Sequence, residues 1–431
     1  MRAMSGLKEA SPSIWKNGMF VRMFAAYSVS IMGNYFDMMA LMILFGYVWK
    51  AEPMLIALIP VAIALPQALL SQFTGVLADK VDKVKLMMVS DLLTALLTLL
   101  LLAALHPRWA LFIIAMRSVA NVVHFPAQQG LIKQVVAEEH LLKAVSLNGM
   151  VMQLSKIIAP LLGGLIVSAA SPQVCILMNA AAFSLSALIL LNMLKQKRLE
   201  SSRSLPEEPV PGEQKLTFWQ SWRQGWAVIA QSRILWISFL TSSVGILFIQ
   251  MIDVQYTTWL RETAPDRPEI MGWLFAASGF GAVVMMMFLN RFERLRGYGW
   301  LLGGSLVCIG AGFGGVGLLR SGFSVPLLLV YGTILGIGVA LYSIGFPYII
   351  QKHTSPDTVS RVSGISNSIA SLCVVVAPPI GGLLVQMLGA GPVFVSVGAL
   401  CTAIGILAIV FQKLLWREAA ADFHTRLDQP S

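Results

Sequence analysis

The sequence predicts an all-α membrane protein of twelve transmembrane helices, built as two six-helix bundles related by a pseudo-two-fold axis. Three observations lead there. The 431-residue chain is 57% hydrophobic and only 12% charged, with a mean hydropathy of +0.75, whereas soluble globular proteins carry about 25% charged residues. Apolar runs long enough to cross a hydrocarbon core of about 30 Å, which takes roughly 20 helical residues, recur along the whole chain. The first half of the sequence also repeats in the second.

The twelve runs cover residues 20–48, 54–77, 86–105, 109–128, 145–169, 174–194, 233–260, 270–289, 299–319, 324–350, 362–388 and 392–415. They are called spans 1 to 12. One long polar interruption rich in charge, Pro and Ser separates the sixth from the seventh. The organisation expected is therefore an N-terminal bundle at 1–194, a cytoplasmic linker at 195–232 and a C-terminal bundle at 233–431. The later linker, Leu216 to Ser232, is expected to form an amphipathic helix on the membrane surface. At an offset of 211, Arg22 matches Arg233, Lys80 matches Arg291, Asp82 matches Glu293, Lys83 matches Arg294 and Lys85 matches Arg296. At an offset of 218, Lys143 matches Arg361, Ala159-Pro160 matches Ala377-Pro378, and Gly163-Gly164 matches Gly381-Gly382. Two such clusters point to duplication of a six-helix unit, the parallel repeat with which transporters build a central site open alternately to either side.

The net charge of +10 is explained by orientation. With both termini in the cytoplasm, 24 of the 31 Lys and Arg fall inside, five outside (Lys50, Arg108, Arg261, Arg267, Arg320) and two within spans, as the positive-inside rule requires. A nucleic-acid surface would need basic clusters with interleaved aromatics in soluble segments, and none is found. The four cysteines, Cys175, Cys308, Cys373 and Cys401, lie inside spans without metal-ligand spacing and read as apolar fillers. The first 20 residues are polar and lack a signal-peptide apolar core, so span 1 is expected to be retained as the insertion signal. No G-x-x-x-x-G-K-[ST] or catalytic motif occurs, and "GAGFGG" at Gly310 to Gly315 sits inside span 9, where helix packing accounts for it.

Three intramembrane groups stand out. Lys156 is halfway through span 5, Arg117 lies near the middle of span 4, and Asp37 is about 22 Å of helix rise beyond Arg22 in span 1. An unpaired charge at such depth costs about 2.5–3.5 kcal/mol, so these groups are expected to face a partner or a watery cavity. One reading is a network in which Asp37 pairs with a cation and exchanges it on protonation; the plainer one is a permanent structural ion pair. Around Lys156, Pro160 bends the helix while Ser155, Ala159, Gly163 and Gly164 offer a small surface for a close neighbour. The "AASGFGA" of span 8 is the expected partner, and Ala377, Pro378, Gly381 and Gly382 form the second copy in span 11. Between spans 2 and 3, Gly75 permits a tight exit, with Asp79, Lys80 and Lys83 at the membrane edge. Asp253 with Gln250, and Tyr35 with Met38, are candidate cavity residues. Asp91 is expected at the membrane interface as a structural group. His124 is read as a packing or hydrogen-bonding residue before a proton relay. Met285 to Met287 are expected to face lipid or neighbouring helices.

"GVLADKVDKVK", Gly75 to Lys85, resembles the G-x-x-x-D-[RK]-x-x-[RK]-[RK] loop of the major facilitator superfamily, with Asp82 where glycine is more usual. In that family the loop's acidic residue is associated with gating contacts to the other bundle. For Asp79 this implies a contact with the positive N-terminal end of span 11 near Arg361 when the cytoplasmic side is closed. "SKIIAPLLGG" resembles the antiporter motif of drug-exporting facilitators, with Ser155 and Ala159 replacing two glycines, and Arg117 resembles the span 4 arginine of proton-coupled members. The segment from Phe125 to Val167 is most similar to the macrolide-efflux branch, although Lys143, Ala144 and Val145 stand where that branch commonly has Asn. The resemblance implies a secondary transporter in the cell membrane, not an enzyme. It would export small amphipathic drugs or metabolites by proton-driven antiport, without a cofactor and as a monomer. Lysophospholipid transport is the alternative within transport, and a sensor or scaffold the alternative outside it.

Overall fold

Side chains that take over the orphan amides of a helix end fix where several crossings begin. Asn17 accepts from the amides of Met19 and Phe20 at 3.1 and 3.0 Å, Asp82 from Lys85 at 3.0 Å, and Ser232 from Leu235 at 3.4 Å. The computed structural model describes residues 14–201, 218–289, 291–292 and 297–416; a set of helical side chains, those of 71–80, Lys133, Lys143, Lys156, Pro160 and Gly164 among them, lies outside the description. Every regular element among the described residues is helical. In chain order these are α1 (Gly18–Ile43), α2 (Pro53–Lys80), α3 (Lys83–Leu102), α4 (Pro107–Asn121), α5 (His124–Val135), α6 (Glu138–Ala169), α7 (Pro172–Ser201) and α8 (Phe218–Gln231). They continue as α9 (Arg233–Ile252), α10 (Tyr256–Thr263), α11 (Glu269–Leu289), α12 (Gly304–Leu318), α13 (Val325–His353), α14 (Pro356–Leu388), α15 (Ala390–Val410) and α16 (Gln412–Leu415).

Eleven described segments are long and apolar enough to cross a membrane, and the 32-residue α6 supplies the crossing between α5 and α7. Five crossings depart from the single helices expected, among them span 9, which opens in a π turn at Gly299–Gly303, and span 12, which is interrupted at Phe411 between α15 and α16. Span 4 is broken between α4 and α5, because Pro126 has no N–H to give the Val122 carbonyl. Span 7 is bent at a 3-10 turn, Asp253–Gln255. Span 1 ends in a wide π turn, Leu44–Val48. The sixth crossing continues as helix to Ser201, beyond its expected end at Leu194.

Each bundle packs internally, α1 on α6 and α7 in the first, and α9 on α14 and α11 on α13 in the second. Between bundles the pairings are symmetric, α2 with α14 and α6 with α11. The second crossing of each half thus meets the fifth crossing of the other, as a pseudo-two-fold requires. At one end a single apolar cluster runs through both bundles, with Phe36, Met39 and Ile56 from the first and Tyr256, Trp259 and Phe394 from the second. At the other end the cores are separate. Phe20, Met23, Met87, Leu131 and Met193 belong to the first bundle, and Leu235, Phe346, Ile349 and Val362 to the second. Among the described residues the apolar cores of the two bundles are joined at one end and parted at the other.

The linker helix α8 docks on the second bundle through Ile229 and Trp226. Gly225 sits where a side chain would strike Ile365, and Arg361 donates to Gln224 Oε1 at 2.8 Å. It is a packed part of that bundle, where the sequence pattern suggested only a surface helix.

Candidate functional site

Asp37 and Arg117 meet in the interior of the first bundle. Arg117 Nη2 donates to Asp37 Oδ2 at 2.5 Å, with side chains 9% and 1% exposed, and Arg117 Nη1 reaches Thr98 Oγ1 on α3 at 3.5 Å. Asp37 Oδ1 is buried with no hydrogen-bond partner among the described residues. The pair is neutral as a unit, which offsets much of the cost of burying either charge alone. A guanidinium keeps its proton, so a proton arriving at the pair goes to the carboxylate and leaves the arginine without its counter-ion. The bare Oδ1 is where that proton, or a ligand cation, would be received. Lys156, the other candidate cation, is in α6 with its side chain outside the described set.

Gly75, Asp79 and Lys80 lie in the last two turns of α2, their side chains also outside the description. Lys83 opens α3 with its aliphatic stem against Gly130 of α5, a contact within the first bundle. Arg361 donates to Gln224 at the parted end, and the contact expected for Asp79 lies outside the described residues.

In α6, Ser155 and Ala159 are buried, and a Cβ at Gly163 would rest on Met39 and Phe36 of α1. Gly163 itself faces α1, Gly281 of α11 faces the Thr333 backbone of α13, and the expected partner helix of span 5, α11, does pack against α6. The second copy is placed equivalently. Ala377 and Pro378 are buried, Gly381 lies against the backbone of Met251 in α9, and Gly382 against Pro53 and Ala57 of α2 in the other bundle.

That last contact belongs to a seam closing the joined end. Arg261 Nη1 donates to the carbonyls of Ala51 at 2.7 Å and Gly46 at 3.3 Å. Gln255 Nε2 donates to Pro53 O at 3.1 Å, and Tyr47 OH to Ala264 O at 3.4 Å. Gly46 is pressed on Thr257, with no space for a Cβ. All the hydrogen bonds that cross between bundles among the described residues lie here.

Asp253 caps the end of α9 at the bend, half-buried, with Gln250 one turn before it. Tyr35 and Met38 are half-buried against the shared apolar cluster. On the second bundle, Phe239, Ser242, Ser243, Tyr342, Phe346 and Ser366 line a recess between α9, α13 and α14. There the Ser242 hydroxyl is buried, with no partner among the described residues.

Asp91, expected at the membrane interface at a helix N-terminus, is enclosed by neighbouring helices. It is fully buried, accepts from Ser186 Oγ on α7 at 2.5 Å, and lies 3.2 Å from His124 Nε2. Counted from Lys83 it is already about 12 Å along α3, deep enough to be enclosed by α5 and α7. Sequence reasoning missed Thr98, Ser186, Ser242 and Arg261. The signal available for the first was Ser90, Asp91, Thr94 and Thr98 forming one polar stripe at helical spacing. Arg261 read as an ordinary outside charge, and its partners are backbone carbonyls that no side-chain pattern reveals.

A family model described as Major Facilitator Superfamily matches residues 23–266 and 263–423. An uncharacterized MFS-type transporter of Bacillus subtilis (strain 168), YfiS, is 27% identical over 90% of this chain and 92% of its own length. Macrolide efflux protein A of Streptococcus pyogenes is 22% identical over 81% and 85%. Among solved structures, the nucleoside transporter NupG superposes with a TM-score of 0.69 at 13% identity, covering 93% of this chain and 100% of that one. A bacterial homolog of the human lysosomal transporter Spinster, inward-facing and unoccupied, superposes at 0.64 with 14% identity over 93% and 97%.

Proposed function

As a member of the Major Facilitator Superfamily the chain is a multi-pass membrane transporter rather than an enzyme, and we propose that it exports small amphipathic compounds in exchange for protons. The observation that carries this reading is the buried Asp37–Arg117 pair with its bare Oδ1, a group able to bind either a proton or a cationic ligand while Arg117 waits as the alternative partner. Kinship with macrolide efflux protein A supports the substrate class. So does the recess of the second bundle, where aromatic rings and the unpaired Ser242 hydroxyl suit an apolar body bearing neutral hydrogen-bonding groups.

The positive-inside distribution supports both termini in the cytoplasm of a cell-membrane protein. Lys50, Arg108, Arg261, Arg267 and Arg320 then mark the joined end as the outer one. In this orientation the parted end opens to the cytoplasm, where substrate would enter. Release outside requires the Arg261, Gln255 and Tyr47 contacts to break and the parted ends to close, a rocking of twin bundles about the central site. One chain carries both bundles, so a monomer suffices, and the proton gradient is the energy source.

Proteoliposomes with and without a pH gradient test this with a panel of amphipathic amines, macrolides and lysophospholipids. Gradient-dependent movement of an amphipathic compound, lost in Asp37→Asn with the fold retained, is the expected outcome. Full coupling retained by that variant removes Asp37 from the mechanism. Lysophospholipid movement indifferent to protons replaces drug export with lipid transport.

A further inference from the structure

The break in the fourth crossing has its own attachment to the neighbouring helix, separate from the Asp37–Arg117 pair. Where α4 stops, the Ala120 carbonyl loses the amide that His124 would supply in a continuous helix. Ser90 Oγ of α3 donates to it instead at 2.8 Å. The next residue, Asp91, meets His124, the first residue of the resumed helix α5, at 3.2 Å. Two consecutive residues of α3 thus clamp both sides of the break. Above it, α4 is tied to other partners, Arg117 to Asp37 and Ser118 Oγ to the Ile63 carbonyl at 2.5 Å. The two pieces of one crossing are tethered independently.

The Asp91–His124 contact lies at ion-pair distance. Its strength therefore depends on charge. Asp91 is fully buried and His124 is 7% exposed. Among the described residues, the other titratable or charged groups on the helices packed around them are Arg22, Tyr27, Tyr35 and Asp37 on α1; Lys83 and Lys85 on α3; Arg108 and Arg117 on α4; His140 on α6; and Cys175 and Lys195 on α7. None of these is in hydrogen-bond or ion-pair contact with Asp91 or His124. With one proton bound, the pair is neutral overall. Without it, a carboxylate remains in the bundle interior with, among the described residues, only the Ser186 hydroxyl to stabilise it, a costly state in low dielectric.

We propose that Asp91 and His124 form a second proton-binding site that fastens α5 to α3 while the proton is bound and frees it when the proton leaves. The sign follows from the charges: the pair holds at low pH and is lost as pH rises. Freed, α5 can swing about the Val122–Val123 break without disturbing Arg117. The site does not depend on which solute is carried or on whether export is proton-driven.

The test is a distance measurement without substrate. Spin labels are placed at Gln134→Cys on α5 and Gln351→Cys on α13, both exposed, in a full-length chain whose native cysteines are replaced by alanine. The expected result is a distance distribution that changes reversibly with pH, and its loss in the isosteric neutral pair Asp91→Asn/His124→Asn. Ser186→Ala keeps both titrating groups but removes a donor to the carboxylate, which disfavours the deprotonated state. Its midpoint should move to higher pH, because the donor matters more to the carboxylate once the imidazolium is gone. The proposal is overturned by a pH-independent distribution in the parent chain, by a response that survives in the double Asn variant, or by an unmoved midpoint in Ser186→Ala. Should the double variant fail to fold, the Ser186→Ala midpoint decides alone.

Discussion

Arg261→Ala should unlatch the joined end. The guanidinium of this half-buried arginine makes two bonds across the bundles, at 2.7 Å to Ala51 O and 3.3 Å to Gly46 O. Hydrogen bonds to charged groups contribute about 1.5–3 kcal/mol each. The longer bond belongs at or below the low end, and partial exposure to water reduces both. A net loss of about 2–3 kcal/mol is the result, felt only in the conformation where this end is shut. At about 1.4 kcal/mol per tenfold, the closed-to-open ratio falls about 30- to 150-fold. Spin labels at the exposed Leu105 and Ser321, replaced by cysteine in the two bundles, report that ratio directly. A longer-distance population should grow in Arg261→Ala and grow less in Arg261→Lys, which keeps the charge but not the fork of donors. An unchanged distribution in Arg261→Ala would show that these bonds are exchanged for equivalent ones on opening, and the seam account would fail.

Gly46→Val places methyl groups where Thr257 already sits. Overpacking of this kind costs about 1–3 kcal/mol, so the same labels should report opening without any polar bond removed; a closed distribution would show that the backbone at the π turn yields. Ser242→Ala removes a buried hydroxyl that satisfies nothing, so thermal stability should stay level or rise by about 1 kcal/mol. If substrate bonds to that hydroxyl, the KM for transport rises several-fold, and an unchanged KM removes Ser242 from the recess's role. Asp37→Asn leaves the Arg117 charge buried opposite a neutral amide, with an expected loss of about 3 kcal/mol. Asp37→Asn/Arg117→Gln should recover thermal stability in an unfolding assay but not gradient-driven transport, and recovery of both would make the ion pair purely structural.

The twelve crossings, their division and their internal repeat were legible because a bilayer imposes one length and one polarity on every spanning helix. Depth was legible too, since counting residues along a helix placed Asp37 and Arg117 at one level. What counting could not supply was rotation: which face of span 3 turned inward, and so whether Asp91 met lipid headgroups or His124 and Ser186. That Gly163 itself faces α1 was hidden for the same reason. Small residues announce that something comes close without naming it, and α1 and α11 both lie against α6. The seam was the least visible part of all, because Arg261 and Gln255 bind carbonyl oxygens, which every residue carries.

The lopsided distribution of apolar cores has a thermal consequence. One conformation is held by greasy surface shared across the twin bundles, and its opposite, whatever polar contacts secure it, would have to be reached by wetting that surface. Apolar cohesion slackens on cooling while polar bonds do not. The resting balance between the two faces should therefore drift toward the wetted one in the cold, so that temperature acts on this protein as a conformational ligand.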